Sequence, residues 1–236
     1  MDKINNIEHF TKIGTFHLNK KIENQDSFLH SSNERYDIIS LADGVSSCVN
    51  SKIGSTIACE TVNKMFLGCG SLFFNYSCKK VTYLIMSEIA KQLSEVSKTM
   101  NQPIETFAST LCFACLEKET NKLMTFQLGD SNLYLLTNDG CQSMTNAKDN
   151  SSAFTVYDDA DDKANVAMYN ATDLNGVLLC SDGAWREFYD NAMFNNTLFE
   201  SLKNCDFSKL KSYLENRNCL DDCSYILMNF NENKVA

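Results

Sequence analysis

Proline is almost missing from this chain of 236 residues: there is one, beside only nine glycines. That scarcity excludes a flexible linker and leaves no obvious domain seam. With 44% hydrophobic residues the length suits one well-filled domain, so residues 1–236 are read as a single unit. No internal repeat is found. Basic clusters are also lacking. None is longer than Lys20-Lys21 or Lys79-Lys80, and the formal net charge is −9. A nucleic-acid surface is therefore not expected. The acidity suits a metal or a cationic peptide as partner, or simply a solvated acidic face. No apolar run reaches the roughly 20 residues that a membrane span needs. The greasiest stretch, Met65 to Met86, is broken by Asn75, Lys79 and Lys80. The start of the chain, Met1-Asp2-Lys3-Ile4-Asn5-Asn6, has neither the apolar core nor the cleavage site of a signal peptide, so a cytoplasmic location is expected.

Cysteine, by contrast, is abundant. The eleven cysteines are odd in number, in a chain too long for a small disulfide scaffold. Cys112-Phe113-Ala114-Cys115 has the spacing of zinc and redox sites, but no second such pair exists. In a strand, positions i and i+3 point to opposite faces. Reduced thiols acting as small buried hydrophobes are the expectation.

The coarse pattern is strands in two blocks, each followed by helices. Phe10 to Leu18, Gln25 to His30 and Tyr36 to Leu41 read as strands. A helix follows, capped at Ser46-Ser47 and stopped at Gly68 and Gly70. A second helix, Lys79 to Met100, carries the stripe Val81, Leu84, Ile85, Ile89, Leu93 and Val96. Ser109 to Leu116, Leu123 to Leu128 and Leu133 to Thr137 form the next strands, with Asn138-Asp139-Gly140 as a turn. Residues 141–171 are polar, and their acid run Asp158 to Asp162 reads as a solvated loop. Strand Val177 to Cys180, a helix from Ala184 to Tyr189, helices within 190–217 and strand Tyr225 to Phe230 complete the chain. Block-wise order predicts an α+β fold: a four-layer α-β-β-α sandwich of two mainly antiparallel sheets flanked by helix pairs.

Three apolar runs end in acids: Ile38-Ile39-Ser40-Leu41-Ala42-Asp43-Gly44, Met124-Thr125-Phe126-Gln127-Leu128-Gly129-Asp130-Ser131 and Val177-Leu178-Leu179-Cys180-Ser181-Asp182-Gly183. A fourth acid pair, Asp221-Asp222, opens the run Tyr225-Ile226-Leu227-Met228. Acids at strand ends beside glycine present carboxylates to a shared point. Such a group repels itself unless cations lie between its members. Oxygen ligands select hard ions such as Mg²⁺, Mn²⁺ or Ca²⁺.

Taken in order with Gly14-Thr15-Phe16-His17 and Asn24-Gln25-Asp26-Ser27, these pieces resemble the metal-dependent protein serine/threonine phosphatases of the type 2C class, in their bacterial single-domain branch. The resemblance spans about Phe10 to Phe230. It implies that Asp43 bridges two Mn²⁺ or Mg²⁺ ions, with the Gly44 carbonyl on one and Asp182 and Asp221 on the other. Asp130 would help hold a third, weaker ion. A water activated between the two ions would attack the phosphorus of phosphoserine or phosphothreonine. The partners implied are a phosphoprotein substrate and a serine/threonine kinase or its targets.

The chain departs from the family pattern in three places. Gln25 stands where many members carry a ligating glutamate, and offers an amide oxygen with one charge fewer. Asp26 would then act behind the ligands as an acceptor. His17 aligns with the family's phosphate-binding arginine, although a satisfied polar residue is an equal reading. Val45 replaces a histidine general acid. These departures leave a catalytically weak regulatory module as the alternative to an active phosphatase. Trp185 is read as packing core, and Thr110 as a small residue on a strand near the site.

Overall fold

Strand β3 (Tyr36–Ala42) is buried along its whole length, which explains why its sequence is a nearly unbroken apolar run rather than an alternation. Its side chains nevertheless alternate between two cores. Ile38 and Ala42 join Phe66, Val81, Ile85 and Phe113 on one side, while Ile39 and Leu41 join Leu133, Leu179 and Ile226 on the other. The first core lies beneath helices and the second between two sheets. In this computed structural model, the described residues are 6–144, 154–190, 193–204 and 206–230.

One sheet has the order β2-β3-β4-β5-β8, from β2 (Ser27–Ser32), β3, β4 (Leu111–Glu117), β5 (Lys122–Leu128) and β8 (Asn165–Asn170). The other has the order β1-β12-β9-β6-β7, from β1 (Asn6–Lys12), β12 (Cys223–Asn229), β9 (Gly176–Cys180), β6 (Asn132–Thr137) and β7 (Gly140–Ser143). Every pairing in both is antiparallel. Helices α2 (Ser51–Phe73) and α3 (Cys78–Met100) cover the first sheet through Ala58, Val62, Phe66, Ile85, Ile89 and Leu93. Helices α5 (Asp182–Trp185), α6 (Asn196–Lys203) and α7 (Phe207–Glu215) cover the second, where Leu198, Leu202, Leu210 and Leu214 meet Tyr134, Leu178 and Leu227. The expected four-layer α-β-β-α sandwich is therefore the observed fold. Helices α1 (Thr15–Lys20) and α4 (Ala160–Lys163) and the hairpin of β10 (Tyr189–Asp190) and β11 (Met193–Phe194) are small additions.

Local differences from the sequence reading have physical causes. The apolar alternation through Phe16 and Leu18 is not a strand. Residues 15–20 turn as α1, and Phe16 and Leu18 are exposed. Gly68 and Gly70 do not stop α2, which continues to Phe73 with a kink at Cys69 (φ −144°) because Phe73 and Phe74 still pack on the core. Packing of an apolar face outweighs the small helix penalty of glycine. The helix starts at Ser51 after Asn50, so Ser46 and Ser47 are not its cap. Helix α5 begins at Asp182, ahead of the expected Ala184, and gives way to a 3-10 turn over Arg186–Phe188.

The polar segment 141–171 contributes two edge strands, β7 and β8, that the sequence reading missed; residues 145–153 of it lie outside the described residues. Its acid run is partly helical, with Asp159 paired to Lys163 at 2.9 Å. Cys112 faces the inter-sheet core and Cys115 the helix-side core, as the strand argument requires. The cysteines among the described residues are free thiols, and burial pushes both Cys112 and Cys115 up from the ordinary thiol range.

Phe113 stacks on Phe126 at 5.1 Å beneath α2 and is fully buried. Phe113→Ala is expected to cost about 3–5 kcal/mol through lost burial and an unfilled cavity, read from the midpoint of urea unfolding.

Candidate metal and phosphate site

Antiparallel order brings alternate strand ends to one edge. In the first sheet Ser27 pairs with Ala42, and Gly44 bridges to Ser109, so the start of β2, the end of β3 and the approach to β4 share that edge. In the second sheet Cys180 pairs with both Asn132 and Tyr225, so the end of β9 meets the starts of β6 and β12. Asp43, Asp130 and Asp221 sit in the loops at these ends, and Asp182 opens α5 there. Together with Gly44, Val45, Ser46, Thr110 and Phe154 they line one cavity of about 160 Å³.

Thr110 fixes Asp43 by two bonds: its hydroxyl accepts from the Asp43 N–H at 2.9 Å, and its own N–H donates to the Asp43 carbonyl at 2.8 Å. Ser131 backs Thr110 at 2.7 Å between hydroxyls. The Trp185 indole donates to the Asp130 carbonyl at 2.8 Å, tying α5 to the β5–β6 loop. Trp185 thus serves packing and also positions an acid.

The charges are poorly compensated. Burial pushes Asp43 well above the usual carboxylate range, and the charges of Asp26, Asp182, Asp221 and Asp130 push further. Burial raises Asp130 to about 6, with Asp182 adding to the rise and Arg186 opposing it. Asp182 is raised by burial despite its contact with Arg186. Asp26 is raised to about 7, chiefly by burial, with the Asp222 charge contributing. Both carboxylate oxygens of Asp26, Oδ1 of Asp182 and Oε1 of Gln25 are buried without a hydrogen-bond partner.

Orphaned buried oxygens are costly and call for an explanation. An all-oxygen donor set fits a hard divalent cation. Among the described residues, however, no three acid, imidazole or thiol groups are already drawn together for ligation. Asp182 Oδ2 instead takes Arg186 Nη2 at 2.8 Å. The acids converge on a common space and are not locked around a point.

Of the residues singled out from the sequence, Asp43, Gly44, Asp130, Asp182 and Asp221 come together. Gln25 and Asp26 lie just behind them and do not line the cavity. A Cβ at Gly44 would meet the Gln25 carbonyl at 2.8 Å, which shows how closely that segment backs the site. His17 is not brought to the cavity. It is 1% exposed, and its Nδ1 lies 2.8 Å from Asp222 Oδ2. The equal reading, a satisfied polar residue, describes its Nδ1, although Nε2 has no partner.

Sequence reasoning missed two residues, Asp222 and Arg186. Asp222 accepts from Gly14 N at 2.8 Å, from Gln25 N at 2.6 Å and pairs with His17. One buried carboxylate thereby holds two segments, the start of α1 and the Gln25 stretch before β2, against the start of β12. Gly14 and Gly183 allow this, because a Cβ at either would meet the Asp221 or Asp222 backbone at 2.3 or 2.2 Å. The Asp221-Asp222 doublet was a usable signal, since neighbouring side chains diverge and only one could face the cavity. Arg186 gave no signal beyond its closeness in sequence to Asp182.

A sequence profile for protein phosphatase 2C matches residues 13–216. No curated protein matches the chain in sequence. Among solved structures, a bacterial serine phosphatase superposes with a TM-score of 0.68 at 14% identity, covering 98% of this chain and 100% of that one. The serine/threonine phosphatase Stp1 from Staphylococcus aureus gives 0.64 at 12% identity, covering 97% of this chain and 96% of that one. RsbX, in complex with magnesium, gives 0.59 at 14% identity, covering 97% and 100%. At these identities the likeness is one of fold.

Two outcomes are expected. Asp222→Ala should cost about 3 kcal/mol in urea unfolding, because buried donors at Gly14 and Gln25 lose their acceptor. The second concerns Asp26. Its folded pKa is raised, so its contribution to stability is complete below the unfolded value near 4 and is lost as pH rises through about 7. In chelator, Asp26→Asn should therefore stabilise the chain more at pH 7.5 than at pH 5. Equal effects at the two pH values in thermal unfolding would contradict a buried, uncompensated Asp26.

Proposed function

The chain belongs to the protein phosphatase 2C family of serine/threonine phosphatases, and from that membership we propose that it dephosphorylates phosphoserine or phosphothreonine in proteins with divalent cations held by its acid cluster. One observation carries this reading: four aspartates from both sheets line a single small cavity, with orphaned oxygens behind them. Asp43, the Gly44 carbonyl, Asp182 and Asp221 would hold two Mn²⁺ or Mg²⁺ ions. Gln25 would add its unpartnered amide oxygen, and Asp130 would serve a third, weaker ion. Cations there supply an acidified water as nucleophile and offset the charge of the phosphoryl group.

The chain's own residues position and buffer the chemistry. Thr110 and Ser131 hold Asp43 in place through its backbone. Asp221 Oδ1 accepts from the Asp222 N–H at 2.9 Å and, at a longer 3.5 Å, from the Ser46 hydroxyl, which orients the carboxylate at the cavity wall. Asp26, buried just behind the cavity, would act behind the ligands as an acceptor. The cavity lining contains no cysteine, so a thiolate nucleophile plays no part in the reading. A phosphoprotein, such as a serine/threonine kinase or its target, is the proposed substrate, and the cytoplasm the proposed location. Among the described residues no helix is long and apolar enough to cross a membrane.

A regulatory, weakly catalytic module is the second reading. The Arg186–Asp182 ion pair and the neutral Gln25 favour it. Turnover of a phosphothreonine peptide with Mn²⁺ separates the two. An active wild type should lose at least ~10²-fold in kcat with Asp43→Asn or Asp182→Asn, the scale of one key electrostatic group, and should lose all turnover in chelator. Wild-type turnover in either folded variant, or turnover that resists chelator, would contradict the proposed mechanism. A folded wild type inert with both Mn²⁺ and Mg²⁺ would select the regulatory reading.

A further inference from the structure

We propose that Arg186 is the residue that contacts the phosphoryl oxygens of the substrate; this rests on the phosphatase reading above. A phosphoryl dianion entering a cavity walled by aspartates needs a cationic side chain as well as bound cations. His17 does not supply it, being buried against Asp222. Lys52 is already committed, its Nζ donating to the Asp26 carbonyl at 2.5 Å and lying 3.1 Å from Ser27 Oγ. Among the described residues, Arg186 is the only lysine or arginine that pairs with acids of the cavity, at 2.8 Å from Asp182 and 4.0 Å from Asp130.

The local structure gives Arg186 a fixed base and an exposed head that reaches the cavity acids. It opens the 3-10 turn over Arg186–Phe188, and the fully buried Phe188 anchors that turn in the core. Its side chain is 57% exposed, whereas that of Asp182 is 10% exposed. The pair joins an exposed guanidinium to a mostly buried carboxylate, so its release requires that the Asp182 charge be offset by something else. Only Nη2 contacts the acids, while the guanidinium lies over the Trp185 ring at 5.7 Å, so the other nitrogens of the planar fork make no ion pair and can serve bidentate recognition of a phosphoryl group. Cations that neutralise Asp182 and Asp130 also remove what holds Arg186 inward. The same event that readies the cavity for a phosphoryl group therefore frees its guanidinium.

The test uses the full chain saturated with Mg²⁺ and the variants Arg186→Met and Arg186→Lys. Calorimetry with inorganic phosphate is the first readout, and KM and kcat on a phosphothreonine peptide the second. Arg186→Met should weaken phosphate binding and raise KM by about tenfold or more, the scale of a charge-assisted hydrogen bond. Arg186→Lys should fall between Met and wild type, and Mg²⁺ affinity should be unchanged or tighter in Arg186→Met. Phosphate affinity in folded Arg186→Met within about twofold of wild type would overturn the assignment and leave Arg186 a counter-ion. The two readings fail separately. A wild type that binds phosphate through Arg186 without turning over peptide keeps this inference and sinks the phosphatase reading. Active wild type with unchanged phosphate binding in Arg186→Met does the reverse.

Discussion

Mutual repulsion among buried carboxylates is the constraint on which this molecule turns. Asp26, Asp43, Asp130, Asp182 and Asp221 come from separate strand ends, yet each charge is felt at Asp43. Taking such groups out of water costs more than any surface pair returns. The fold must hold them together against that cost. It does so with two sheets packed on largely apolar cores and with small hydroxyl residues, Thr110 and Ser131, that fix acid-bearing loops through the backbone. Arg186 partly offsets the charge at Asp182 and Asp130, and the cations proposed above would offset the rest.

The layering explains why so short a chain can carry such a site. Each sheet is covered by helices on its outer face, so the acids gather at the strand ends, while a buried pair such as Asn63 and Ser40 is satisfied internally. Both sheets direct alternate strand ends to one edge, where Asp222 fastens Gly14, Gln25 and His17 to the start of β12. Asp222 thus does for the second sheet what Thr110 does for the first. A defect there would loosen the Gln25 segment and the Asp221 backbone together.

Much of this was legible in the sequence. The acid-terminated runs at Asp43, Asp130 and Asp182 identified strand ends, because apolar runs buried on both faces must stop where charge begins. The block order of strands and helices predicted the sandwich. The failures share a cause: local pattern was overruled by tertiary contact. Phe16 and Leu18 alternate like a strand, but Gly14 has to pass against the Asp221 backbone and the chain coils after it. Gly70 looks like a helix stop, but Phe73 and Phe74 still have a core to fill. Strand β8 (Asn165–Asn170) is short, half-exposed and set in a polar segment, and the edge of β5 is what makes it a strand. His17 matched by alignment to an arginine, yet its pairing with Asp222 spans 205 residues of sequence, a contact that no local pattern reveals.

The central claim is that the aspartate cavity is a divalent-cation site. Anomalous diffraction from crystals soaked in Mn²⁺ tests it directly. The account predicts strong peaks within ligating distance of Asp43, Asp182 and Asp221, with the Arg186 guanidinium displaced from Asp182. A cavity without an anomalous peak, with Arg186 still bound to Asp182 at saturating Mn²⁺, would contradict it.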